Sequence, residues 1–572
     1  MACDVRQTTV SKHKLDACLA YFTFSFSFDR FRIRTFHRRW IFFFDDHRTN
    51  IVTKGECYDL LVVGGGINGT GIARDAAGRG LTVMLCEKDD LASHTSSSST
   101  KLIHGGLRYL EYGEYRLVRK ALQEREVLLR SAPHIIWPLR FVMPHMPRLR
   151  PAWMIRAGLF LYDHLARREL LPGSRGIDLR RHPAGAPLIN SLKRGFVYSD
   201  GWVDDARLVV LNAIDAKERG ALIRTRTRLL SATRDAGEWQ VMLSDPGGTI
   251  NIRARAIANA AGPWVSDLLK SALDDGEGSR RGAHHSVRLV KGSHIVTRRL
   301  FDHDHAYIFQ NPDKRIIFAI PYEHDYTLIG TTDIEYHGDP SKVEISADET
   351  RYLCDSINRY FKQQIGPQDV CWTYSGVRGL LEDEHAENAS AVTRDYLLEL
   401  DAPDAEAPLL SVFGGKITTF RKLAEEAVDK LGAAIGPSVQ SWTEGAVLPG
   451  GDIPDANFER FLGALKQQNP WLPADLAHRY ARAYGTRTPV LLGAAKSIEE
   501  LGQAFAPGLY EAELRYLRDN EWAMRAEDVL WRRSKLGLHM ERDTLADAVR
   551  RIDKWLAEAP RAASAPPRQT AA

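Results

Sequence analysis

YDLLVVGGGINGTGIARDAAGRGLTVMLCE, residues 58–87, carries the first structural signal in the chain. A short apolar run leads into three glycines. A small-residue helix pattern follows as far as Gly78–Gly80, and a second apolar run ends at Glu87. Gly64, Gly66 and Gly69 match the G-x-G-x-x-G turn of a dinucleotide-binding βαβ unit, with Gly65 and Asn68 between them. The first glycine allows the tight turn, the second admits a pyrophosphate to the backbone, and the third lets helix pack on strand. The helix N-terminus then faces the phosphates. Glu87 follows Gly64 by 23 residues, where an acid meets a ribose. NAD and FAD both remain open at this point.

Two further elements favour FAD. IANAAGPW, residues 257–264, ends a strand in nearly side-chain-free residues that include Ala261 and Gly262. GGKITTFRKLAEEAV, residues 414–428, sets Gly414, Gly415, Lys416 and Thr418 ahead of a helix whose positive end can face a flavin ring. A third stretch, TKLIHGGLRYLE at 100–111, follows a run of serines and gathers His104, Gly105, Gly106, Arg108 and Tyr109. Paired glycines let a backbone approach an object that neighbouring side chains then touch.

Composition narrows the partners. Residues 1–50 hold nine Lys or Arg and five Asp or Glu, which leaves 68 of each in the rest of the chain. A neutral body gives no case for nucleic acid. Six cysteines without a CxxC pair point to reduced thiols and no metal site. No run reaches the ~18–20 apolar residues of a membrane span. Residues 1–56 are expected to be an extension outside the working fold: Phe22, Phe24, Phe26 and Phe28 alternate, arginines follow, and Asp29, Asp45 and Asp46 spoil a transit-peptide pattern. Residues 559–572, rich in Ala and Pro, are expected to be disordered.

With these motifs in hand, the chain resembles the FAD-dependent, respiratory (aerobic) glycerol-3-phosphate dehydrogenases from about Tyr58 to about Leu556. The matching stretches are DLLVVGGGINGTGIARDAAGRGL, TKLIHGGLRYLE, RPAWMIRAGLFLYDHL, YSDGWVDDARLV, KGSHIV, IGTTD, WTYSGVR, TRDY and SVFGGKITTFRKLAE. Departures are small: Ala261 stands where the family usually has Thr, and Gly379 where Pro is common.

The resemblance implies an α/β fold. Its parts are a FAD-binding Rossmann-like domain of the glutathione-reductase/D-amino-acid-oxidase type, an antiparallel-sheet substrate domain and an all-α C-terminal domain. Expected boundaries are 57–145, 195–285 and 405–432 for the FAD domain, 146–194 and 286–404 for the substrate and membrane-contact domain, and 433–558 for the helices. The implied reaction oxidises sn-glycerol 3-phosphate to dihydroxyacetone phosphate, with hydride leaving C2 for FAD N5 and electrons passing to ubiquinone or a similar quinone.

Arg108, Tyr109, Arg378, Arg394 and Lys416 are then expected around the substrate, because a guanidinium fork suits a phosphate dianion. Ser97, Ser98 and Ser99 are expected to donate hydroxyls near the pyrophosphate, and His104, Gly105 and Gly106 to lie by the flavin. Arginine stays protonated, so Arg378 positions the C2 oxygen, and His294 and His104 are the candidate bases because histidine titrates in the right range.

Residues 147–168 place Trp153, Met154, Leu159, Phe160, Leu161 and Tyr162 between Arg148/Arg150 and Arg167/Arg168. That pattern suits a helix lying in the headgroup layer. The expected location is the cytoplasmic face of a bacterial inner membrane, as a peripheral protein, with room for a homodimer. The rivals are an oxidase that hands electrons to oxygen and a non-catalytic FAD-binding sensor.

Overall fold

A computed structural model describes residues 56–558, except 147–149, 275–286, 314, 382–394 and 437–439. The N-terminal extension and the C-terminal tail therefore lie outside the described residues. Among the described residues, three large sheets and a mainly helical region that carries a two-stranded sheet, Ala504–Ala506 with Leu509–Tyr510, pack as one compact unit.

The first sheet has six strands in the order Leu397–Asp401, Leu409–Phe413, Ile257–Asn259, Leu60–Val63, Val83–Cys86 and Leu222–Arg224. All neighbours are parallel except the first pair. LLVV, VMLC and LLSVF are buried on both faces, as expected of parallel strands covered on each side. Helix α1 (Ile67–Gly78) runs directly out of the glycine turn. A five-stranded sheet packs beneath, built around the meander Arg228–Asp235, Glu238–Asp245 and Gly248–Ala254.

The third sheet has ten strands and forms the substrate side. At one end lies the long antiparallel pair Val287–Arg298 and Val370–Leu381, which sets His294 opposite Tyr374 and Val290 opposite Arg378. Ile316–Tyr322 and Tyr326–Gly330 form the expected hairpin around Glu323–Asp325. A capping box steadies the long strand from below. Ser346 and Glu349 cap the helix Ala347–Asn358 reciprocally, and the Glu349 carboxylate also accepts from Ser293 Oγ and Thr332 Oγ1, each at 2.8 Å.

The boundaries at 102–145 and 195–203 need correction. Leu102–Ile103, Ile136–Pro144 and Arg194–Val203 belong to this large sheet, with Phe141 paired to Ala306 and Ile103 to Gly201. Strand partners so distant in the chain leave no trace in local periodicity. Leu397–Asp401, expected on the substrate side, instead edges the first sheet.

Beyond residue 440 the chain is helical, as expected, with Phe458–Gln468, Ala474–Tyr484, Glu511–Glu521 and Arg542–Glu558 as its main helices. Tyr480, Tyr484, Leu514, Leu517, Leu530 and Ile552 give this region its own core. One turn, Asp528–Arg533, is π-helical.

Helix α2 (Ala152–His164) falls where the aromatic, arginine-bracketed stretch predicts one. Only Leu159, Tyr162 and Asp163 are buried, while Trp153 is 71% exposed and Phe160 57%.

Candidate active site

A cavity of about 810 Å³ is lined by the glycine turn, the loop after Glu87, the end of the Ile257–Asn259 strand, the two long strands of the large sheet and the Gly414–Ile417 segment. The glycine turn is built for close approach. Gly64 has φ +115°, and a Cβ there would sit 2.5 Å from Ala260 O. A Cβ on Gly69 would sit 1.9 Å from Gly64 O, so α1 packs on its strand only with glycine at that position.

No side chain of its own N-cap covers the start of α1, because Gly66 holds that position. Ser96 Oγ accepts from Ile67 N at 3.0 Å. Asn68 lines the cavity, and its buried Oδ1 has no hydrogen-bond partner. Glu87 accepts from Gly65 N at 2.7 Å and Asp89 N at 2.8 Å. Its burial pushes the carboxyl pKa up despite those bonds. A glycine cradle, a helix N-terminus that borders the cavity and an acid at the ribose distance together fit a dinucleotide.

Cationic side chains also line the cavity. Arg378 and Lys416 line it, with Arg378 Nη2 2.8 Å from Asp333 Oδ1 and Lys416 Nζ 4.1 Å from the centre of the Tyr109 ring. His294 also lines the cavity, stacked on Tyr374 with ring centres 4.7 Å apart. Its Nε2 lies 3.0 Å from Thr100 Oγ1, and its buried Nδ1 has no hydrogen-bond partner. Burial, then the charges of Lys101 and Arg378, lower the His294 pKa to about 3. The ring is neutral at neutral pH and can receive a proton. A phosphate dianion beside Arg378 would relieve the cationic field that opposes its charged form.

Most of the residues singled out in the sequence meet at this cavity. Gly64, Gly65, Gly66, Asn68, Glu87, Ser98, Ser99, His104, Tyr109, Ala261, Gly262, His294, Arg378, Gly414, Gly415 and Lys416 all line it. Others support it from behind. Gly69 packs helix on strand, Thr418 Oγ1 accepts from His104 N at 3.2 Å, and Gly105 N donates to Tyr162 Oη at 2.8 Å. Gly106, at φ +74°, opens the 3₁₀ turn that presents Tyr109. Ser97 Oγ donates to His94 O, and Ser99 Oγ donates to Asp205 Oδ2 at 2.8 Å, so these two hydroxyls brace the serine loop itself.

Arg108 does not line the cavity. Leu107–Tyr112 is a 3₁₀ helix, in which adjacent side chains diverge by a third of a turn, so Tyr109 faces in while Arg108 turns toward Tyr112. Arg394 lies outside the described residues. Sequence reasoning passed over Thr100, Tyr374 and Asp333, which orient His294 and Arg378. All three sit inside stretches quoted above, but their roles depend on pairing across strands.

Residues 59–398 match the family model described as FAD dependent oxidoreductase, and residues 441–561 match that of the C-terminal domain of alpha-glycerophosphate oxidase. The cofactor is FAD, and the class is that of the FAD-dependent oxidoreductases. The chain is 55% identical over 489 residues to a glycerol-3-phosphate dehydrogenase of Pseudomonas aeruginosa, covering 85% of this chain and 93% of the relative. It is 53% identical over 491 residues to a D-erythritol 1-phosphate dehydrogenase of Brucella abortus, covering 86% and 96%. A solved glycerol-3-phosphate dehydrogenase from Bacillus halodurans, complexed with FAD, superposes with TM-score 0.69 at 28% identity, covering 88% of this chain and 90% of that one. The chain belongs to the family of FAD-dependent glycerol-3-phosphate dehydrogenases.

Proposed function

We propose that the protein oxidises sn-glycerol 3-phosphate to dihydroxyacetone phosphate and delivers the two electrons to a membrane quinone. The observation that carries this reading is that Arg378, Lys416 and His294 all line the FAD cavity. Bound FAD supplies the two-electron acceptor for the hydrogen that leaves C2. Arg378 and Lys416 supply fixed positive charge for the phosphate and for the alkoxide character that develops at C2. The nearby Tyr109 ring limits where the Lys416 ammonium can sit. His294 takes the hydroxyl proton as the C2 carbonyl forms.

The quinone assignment draws support from α2. Trp153, Met154, Phe160 and Leu161 are exposed on it, with Arg150 before it and Arg167 and Arg168 after it. Among the described residues no helix is long and apolar enough to cross a membrane. The proposed attachment is therefore peripheral, with α2 lying in the headgroup layer on the cytoplasmic face of a bacterial inner membrane.

A second reading, oxidation of D-erythritol 1-phosphate, draws on the Brucella abortus relative, which is nearly as similar as the Pseudomonas aeruginosa one. The same phosphate clamp and base would serve it.

The test is the visible flavin spectrum of the purified holoenzyme without oxygen, recorded before and after each candidate substrate. Bleaching by sn-glycerol 3-phosphate, slower bleaching by D-erythritol 1-phosphate and none by glycerol is the expected pattern. Faster bleaching by the erythritol ester would move the assignment to the second reading. A flavin that stays oxidised with both esters would overturn the phosphate clamp. Peroxide formed in air at the rate of substrate loss would replace the quinone by oxygen.

A further inference from the structure

The loop after Glu87 supplies much of the cavity wall, from Lys88 to Thr100. Near its start, Asp90 does not line the cavity and is 2% exposed. Three guanidinium bonds meet its carboxylate: Arg532 Nε at 2.7 Å and Arg533 Nη1 at 2.6 Å reach Oδ2, and Arg533 Nη2 at 2.9 Å reaches Oδ1. Both arginines belong to the π-helical turn Asp528–Arg533 of the C-terminal region. Such turns are uncommon and collect at functional sites.

The same turn holds a second cavity segment. Asp528 accepts from Arg226 Nη2 at 2.8 Å, and the next residues, Thr227 to Leu230, line the cavity. Arg226 N and Thr227 N donate to Asp89 O and Glu87 O, each at 2.7 Å, which ties the two wall segments to each other. The turn is itself rigidly held. Asp528 Oδ2 accepts from Met524 N at 2.8 Å and Arg525 N at 3.0 Å, while Arg533 Nη2 also donates to Glu521 O at 2.6 Å.

We propose that the Asp528–Arg533 turn is a latch for the cofactor: it closes the Lys88–Thr100 and Thr227–Leu230 walls around bound FAD and sets how slowly FAD leaves. The C-terminal region then has a role in the holoenzyme apart from substrate chemistry. The latch depends on FAD occupying the cavity and not on which alcohol is oxidised. Arg532 still bonds both Asp90 and Asp528 when Arg533 or Arg226 is replaced, so each substitution removes one buried charge-assisted anchor rather than all of them, and a wall segment held less tightly by the turn opens more often. Coupling is reciprocal: a turn that slows FAD release must itself be steadied when FAD binds.

Two measurements test the latch. FAD release from the holoenzyme, followed by the rise in free-flavin fluorescence well below the unfolding temperature, is compared for wild type, Arg533→Met, Arg226→Met and Arg479→Met. Arg479, itself partly exposed, makes a bidentate pair with the fully buried Glu513 inside the C-terminal region, at 2.6 Å on both oxygens, but touches no cavity segment. Release about ten-fold faster or more in the first two variants, with the Arg479 variant near wild type, is expected from breaking a buried pair at the wall alone. Equal release in all four proteins, or equally fast release in all three variants, overturns the latch.

Where a variant does not fold, hydrogen exchange on unmutated protein gives the second measurement. FAD is expected to slow exchange across residues 521–536 as well as at the glycine turn. Protection confined to the glycine turn overturns the proposal.

Discussion

His294 Nε2 lies 3.0 Å from Thr100 Oγ1, at the point where the loop following Glu87 meets the Val287–Arg298 strand of the large sheet. The bond leaves Nδ1 as the nitrogen without a partner on a ring that lines the cavity. Replacing His294 by Ala is expected to slow flavin reduction by about 10²–10⁴-fold, the usual contribution of a positioned general base. Thr100→Val leaves the ring in place and should cost less. Stopped-flow reduction without oxygen checks both, and a His294→Ala rate within a few-fold of wild type assigns the proton to another group.

Arg378 is held by Asp333 at 2.8 Å and still borders the cavity. Loss of its hydrogen bonds to a phosphate oxygen is expected to cost about 1.5–3 kcal/mol, roughly a 10- to 150-fold fall in kcat/KM. Arg378→Met should lose this factor for the phosphorylated substrate, and Asp333→Asn should lose a smaller one, because the guanidinium remains but wanders. Steady-state kinetics with sn-glycerol 3-phosphate and a dye acceptor measures the effect. Unchanged kcat/KM in Arg378→Met would place the phosphate elsewhere in the cavity.

The parts of this site that could be read in the chain are those where local backbone demands a residue type. Gly64 needs positive φ and Gly69 tolerates no Cβ, so their spacing announces the turn before any fold is known. Arg108 shows the opposite case. It shares a motif with Tyr109, but the 3₁₀ turn carries only one of the two inward, and nothing in the motif distinguishes them. Ser99 likewise looks like a ligand by composition, yet its hydroxyl is spent on Asp205, far along the chain. Sheet membership of Ile136–Pro144 and the grip of Arg533 on Asp90 are longer-range still. Pairing of that kind is decided by the assembled fold, and periodicity carries no record of it.

Helix α2 offers a prediction about attachment. Its exposed Trp153 and Phe160 sit with Arg150 at one end and Arg167 and Arg168 at the other. Reversing the charge of those arginines, together with Arg148, is expected to release the holoenzyme from vesicles rich in anionic lipid, since each basic residue near such a surface contributes about 1 kcal/mol. Dye-coupled activity should remain near wild type, because none of the described three lines the cavity. Co-sedimentation at low and high salt measures the binding. A variant that still sediments as wild type does would show that α2 is not the docking face.

Acid sensitivity follows from two buried histidines. His134, fully buried with neither ring nitrogen hydrogen-bonded, has its pKa lowered to about 3 by burial and then by Arg207 and Arg482. His294 is likewise lowered to about 3. A folded-state pKa below the unfolded value means that the unfolded chain binds more protons once the pH drops below the ordinary histidine range. The stability these neutral rings contribute is therefore present above pH ~6.5 and is lost as the pH falls toward 3, at about 1.4 kcal/mol per pH unit for each group. Half-buried His303 acts in the same direction, while Glu87, whose pKa burial raises, works against the trend. Urea unfolding of the holoenzyme between pH 8 and pH ~5.5 should show a stability plateau followed by a decline from pH ~6.5 downward. His134→Asn should flatten that decline whatever its effect at pH 8. A wild-type curve that stays level to pH ~5.5 would mean that these rings gain protons in the folded state as readily as in the unfolded chain.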